Sequence, residues 1–169
     1  MSVQLEKKII EAINDPASVK VIATVSKDGV VHVTPKGSIT VDEEGRIRFL
    51  ELLEKSQTQK NLVYSIWFDK YVAINIITAD KKSYLIKGKT LKTVNSGKEF
   101  QDEYVAVQKK LGYDIDLSAI WFVDVEEVSE QTFEVRREIL ETAYPYEKHV
   151  DRFAKDEYRF ENKEGGIRK

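Results

Sequence analysis

The chain has 169 residues, enough for one domain of ordinary size, with 41% hydrophobic and 33% charged residues. A formal net charge of -2 gives no global attraction to nucleic acid or to an anionic membrane, and no apolar run nears the ~20 residues that cross a bilayer. With no cysteine and two well-separated histidines, His32 and His149, the sequence excludes disulfides, thiolate metal sites and Cys nucleophiles and argues against a His-based metal centre, so redox chemistry would need a bound organic cofactor.

In chain order, the opening MSVQLEKKIIEAI carries Glu and Lys among its apolar residues. It reads as an amphipathic helix over residues 3–14, stopped at Asn14-Asp15-Pro16, and not as a secretory signal. The expected compartment is the cytoplasm. Val19–Val25 is a β-rich run, and Asp28-Gly29 after it is a strong hairpin signal. A second strand spans Val30–Val41, with Pro35 and Gly37 predicting a bulge or an opened edge. A third covers Arg46–Leu52.

Ser56–Trp67 reads as a short helix, with Ser56 and Gln59 spaced as a capping box. Tyr71–Thr78 and Ser83–Val94 are strands joined by a turn. Phe100, Tyr104, Val107 and Leu111 predict a helix over Gly97–Leu111, closed by Gly112. Leu117–Val128 and Gln131–Val135 read as the last strands. The sequence divides into a domain over residues 1–136 and a charged segment over 137–169, for which two readings stand open: a partly ordered tail, or an arm that wraps a partner subunit through Tyr144, Tyr146, Phe153, Tyr158 and Phe160.

Meandering antiparallel strands with helices at the ends predict a mainly β (α+β) fold, a small barrel of six or seven strands. No βαβ alternation, no G-x-G-x-x-G and no G-x-x-x-x-G-K-[ST] occurs, which argues against Rossmann and P-loop nucleotide binding. The informative stretch is FLELLEKSQTQKNL, Phe49–Leu62. A strand there runs into a helix mouth offering Lys55, Ser56, Thr58 and Lys60. Free backbone N–H groups, hydroxyls and ammonium groups suit a phosphate monoester, although a simple helix cap explains Ser56 and Gln59 equally well.

The arrangement as a whole resembles the pyridoxamine 5'-phosphate oxidase-like FMN-binding split β-barrels over roughly residues 5–135. Ser56-Gln57-Thr58-Gln59-Lys60-Asn61-Leu62 matches their phosphate segment, with Gln57 standing where relatives usually carry Arg or Lys. A closer likeness is to small FMN-binding electron carriers. Tyr84-Leu85-Ile86-Lys87-Gly88 and Val128-Ser129-Glu130-Gln131-Thr132-Phe133 resemble two of their later segments. The resemblance implies FMN held at a homodimer interface, with the phosphate on Ser56, Gln57, Thr58, Lys60 and Asn61. It implies ring contacts from Val33, Thr34, Pro35, Phe49, Leu50 and Glu51, and aromatic cover from the partner, with Trp121 as first choice and Trp67 second.

No residue announces itself as a catalytic acid or base. Glu126 and Glu127 are adjacent on a strand and point to opposite faces, so they cannot converge on one proton. The expected function is an FMN-dependent oxidoreductase or an electron carrier, serving a small-molecule or protein redox partner. The alternative is a binding module on the same barrel, for haem, a deazaflavin or a stress-related ligand.

Overall fold

The computed structural model describes residues 3–144. They divide between two compact units, 1–132 and 133–169. In the first, α1 (Lys7–Asn14) precedes β1 (Val19–Val25), β2 (Val31–Pro35), β3 (Thr40–Val41) and β4 (Ile47–Glu51). Then follow α2 (Gln57–Phe68), β5 (Tyr71–Ile77), β6 (Ser83–Val94), α3 (Gly97–Leu111) and β7 (Ala119–Glu130). The strands form one antiparallel sheet in the order β2-β1-β5-β6-β7-β4-β3, a curled half-barrel.

Alternation places the core. Ile22 of β1, Phe49 of β4, Ile74 of β5, Ile86 of β6 and Trp121 of β7 face inward, where Ile9 and Ile13 of α1 and Leu62 of α2 close over them. β7 is apolar on both faces: Ile120 and Phe122 point the other way, into a second cluster under Val107 of α3. Among the described residues no helix is long and apolar enough to cross a membrane.

Three local expectations are corrected. Residues 3–6 are not helical: Val3 N–H donates to Val125 O at 2.7 Å, and Leu5 is buried. The long second strand breaks at Lys36–Ile39, where Pro35 ends the ladder with β1 and the chain crosses to start β3. Gln131–Val135 is not a strand. Gln131 N–H still reaches Ser83 O at 2.6 Å, but Phe133–Ala143 is helical. Val135, Ile139 and Thr142 are β-branched there, but Glu, Arg, Leu and Ala make up most of the helix, and Arg137 pairs with Glu141 at i, i+4. This helix, α4, forms the described part of the second unit. The aromatic residues at 146, 153, 158 and 160 lie outside the described residues.

Candidate functional site

The mouth of α2 is built by the chain leaving β4. Leu52–Ser56 lines an open depression of about 460 Å³. Ser56 caps the helix, its Oγ accepting from Gln59 N–H at 2.9 Å, and Ser56 N–H donates to Leu53 O. Lys60 N–H donates to Ser56 O. Among the described residues no protein acceptor stands at the amides of Gln57 and Thr58. Of the two, Gln57 is exposed and Thr58 is buried, so the Gln57 donor and the positive helix end are the features that suit an anion, with the exposed Lys55 and Lys60 on the same segment.

Four side-chain bonds hold this first turn in place. Besides the cap, Trp121 Nε1 donates to Gln59 Oε1 at 2.6 Å, Asn61 Nδ2 donates to Thr24 Oγ1 at 3.0 Å, and Gln57 Nε2 donates to Asn61 Oδ1 at 2.8 Å. The capping box is therefore half-made. Gln59 spends its side chain on the indole of Trp121 and does not turn back to the Ser56 amide.

The residues expected at the site divide into groups. Ser56, Gln57 and Lys60 stand at the mouth. Thr58 and Asn61, each 2% exposed, lie on the inner face of α2 against the sheet, so they shape the turn from behind and offer no open surface to a phosphate. Phe49 is core, and so is Trp121 at 1% exposed, its ring enclosed by its own chain with no face turned to a partner. Trp67, at 78%, is on the surface. Val33 and Pro35 lie on the open side of the edge strand β2, while Thr34 and Leu50 are half-buried.

β2 and β4 are far apart in the sheet order, yet the Lys36–Ile39 crossing stitches their ends together. Lys36 Nζ meets Glu51 Oε2 at 2.7 Å, and Glu51 Oε1 accepts from Leu53 N–H at 3.1 Å. Ser38 Oγ donates to Leu50 O and accepts from Leu50 N–H. Lys20 Nζ, reaching up from β1, donates to Ile39 O at 3.0 Å. Lys36 and Ser38 were missed in the sequence. Their one local cue was the Pro35–Gly37 interruption, which marks an opened strand and says nothing of what the crossing touches.

Burial lowers the pKa of the Lys20 ammonium from its ordinary 10.5, with the nearby Asp15 carboxylate offsetting part of that shift. The unfolded chain therefore holds this proton over a window in which the folded protein has lost it, and stability from Lys20 rises with pH up to 10.5. Lys20→Met removes that share. Urea midpoints at pH 7 and pH 10 should show the wild type gaining on the variant at the higher pH; a constant difference would contradict the sign.

Glu126 and Glu127 do not split between the two faces as simple alternation predicts. Glu126 meets Tyr71 and Lys89 and Glu127 pairs with Lys87; Lys87 and Lys89 share one face of β6, so the register shift between Lys87 and Gly88 brings both carboxylates to that face, each to its own lysine.

The curled antiparallel sheet with helices at its ends is the split-barrel fold of the pyridoxamine 5'-phosphate oxidase-like proteins. Solved structures with this likeness include the HupZ protein of Group A Streptococcus, at 17% identity and TM-score 0.61, covering 76% of this chain and 95% of that one. An FMN-binding protein from Syntrophomonas wolfei matches at 9% identity and TM-score 0.58, over 75% of this chain and 88% of its own. A candidate pyridoxamine 5'-phosphate oxidase from Lactobacillus delbrueckii matches at 19% identity and TM-score 0.52, over 75% and 93%. At such identities the likeness is one of fold. No family model matches the sequence, and no curated protein matches it.

Proposed function

We propose that this protein binds FMN at the mouth of α2 and works as a flavin-dependent redox protein, an oxidoreductase or an electron carrier. The observation that carries the reading is the exposed Gln57 with an amide that has no protein acceptor among the described residues, at the start of a fully bonded first turn and with the exposed Lys55 and Lys60 on the same segment. The fold, shared with an FMN-binding protein, supports it. The bound flavin would supply the electron or hydride chemistry, while the chain grips the phosphate and sets the polarity around the ring.

The reading includes a homodimer. α2 carries its polar residues Thr58, Asn61 and Ser65 inward, while Val63, Ile66, Trp67 and Phe68 face outward, and the edge strand β2 exposes Val31 and Val33. Apolar side chains placed outward on two neighbouring elements of one unit favour coverage by a second copy over a solvated surface.

The test is a flavin titration followed by the visible spectrum, with riboflavin as the control that lacks the phosphate. Wild-type protein should prefer FMN. Lys55→Ala with Lys60→Ala should weaken FMN roughly tenfold or more, as expected when charge-assisted contacts at an exposed site are lost. Riboflavin binding should be unchanged. Equal loss for both ligands, or no flavin binding at all, would remove the phosphate assignment.

A further inference from the structure

The Glu51 carboxylate lies at the point where β4 leaves the sheet, and it is 1% exposed. One oxygen takes Lys36 Nζ at 2.7 Å and the other takes the Leu53 amide at 3.1 Å, so one side chain joins the β2 end of the crossing to the turn that forms the mouth. Lys36 follows Pro35 directly, and its backbone is fixed by its own N–H to Lys20 O and by Ile39 N–H to its carbonyl. The pair is thus a fixed charge couple set between the segments assigned to the ring and to the phosphate.

A buried ion pair is poor value as a source of stability, because desolvation of both charges offsets most of their attraction, and apolar replacement of the two together is often neutral. What such a pair does supply is a local field with a defined direction. Lys36 retains some exposure, its side chain at 15% against 2% for Glu51, so the ammonium is the member nearer the surface. An electron-accepting ring bound beside it would gain negative charge on reduction, next to a cation whose counter-charge lies behind it.

We propose that the Lys36–Glu51 pair is a positioning element that sets the reduction potential of the bound flavin, Lys36 favouring the reduced form and Glu51 holding that preference down. The inference rests on the flavin reading above. The two members act in opposite directions although they form one contact. Removing Lys36 leaves a bare carboxylate, which disfavours added electron density; removing the charge of Glu51 leaves a bare ammonium, which favours it.

The experiment uses the full chain loaded with FMN, equilibrated against a reference dye during stepwise reduction. Lys36→Met should lower the potential and Glu51→Gln should raise it, each by a roughly tenfold change in the reduced-to-oxidised preference, about 30 mV for a two-electron couple. Lys36→Arg should stay close to wild type. Should Lys36→Met not fold, Lys36→Gln, which can still hydrogen-bond the carboxylate, takes its place. Melting temperature is followed in parallel, because loss of a contact that is merely structural lowers stability in both variants without sending the potential in opposite directions. Shifts of the same sign, or none, in FMN-loaded protein would overturn the inference and leave the flavin reading standing. Failure of the wild type to take up FMN would remove both.

Discussion

Trp121→Ala is expected to cost about 4 kcal/mol of folding stability, the scale for emptying a large buried aromatic site. The ring sits across from Phe49 on β4 and packs in the main core with 1% of its surface exposed, so truncation leaves a cavity that neighbouring strands cannot close without breaking ladder bonds. The indole also donates to Gln59 in the first turn of α2, and the alanine variant strips that turn of one of its four side-chain bonds. Trp121→Phe separates the two roles. It keeps most of the packing and loses the donor, so its cost should fall to about 1–2 kcal/mol. Denaturant unfolding measures both. A loss below about 1 kcal/mol for the alanine variant would mean that the ring is not buried within its own chain.

That prediction also shows what the sequence could and could not reveal. The strands were legible because alternation and turn residues repeat along them, and the α2 start was legible because Ser56 and Gln59 have cap spacing. The side of α2 that faces the sheet was not. Amphipathic logic sends Thr58, Asn61 and Ser65 to solvent, whereas the structure buries them and exposes Trp67 and Phe68. Their burial is tolerated where bonds are made: Asn61 to Thr24 and Ser65 to the Asn61 carbonyl, the first of which spans 37 positions of chain. Trp121 was unreadable for the same reason, since an aromatic in an apolar strand has two faces to choose from, and only the register with Phe49 chooses. Lys36 lies in the crossing just after β2 and Glu51, 15 positions on, ends β4, a strand that does not pair with β2, so their contact exists only once the sheet has curled.

The second large effect belongs to Gly88. A Cβ added there would stand 2.2 Å from the Asp124 carbonyl oxygen and 3.1 Å from its carbon, with Val123 Cγ1 at 3.0 Å. Two of the three obstacles are backbone, which has no rotamer to yield. The site coincides with a register shift in the β6–β7 ladder, where Lys87 faces Glu127 and Gly88 faces Val125, leaving Glu126 as the extra residue. A side chain at 88 must push β7 away at the bulge that aims Glu126 at Tyr71 and Lys89. Gly88→Ala should therefore lose about 3 kcal/mol, at the upper end of ordinary overpacking, or roughly 6–12 °C in melting temperature. Gly37→Ala is the control. Nothing lies within 4 Å of a Cβ there and its φ is not in the left-handed region, so that variant should hold its stability or gain a few tenths of a kcal/mol through the unfolded chain. If the two alanines cost the same, the close approach of β7 to Gly88 is wrong, and with it the bulge that places Glu126.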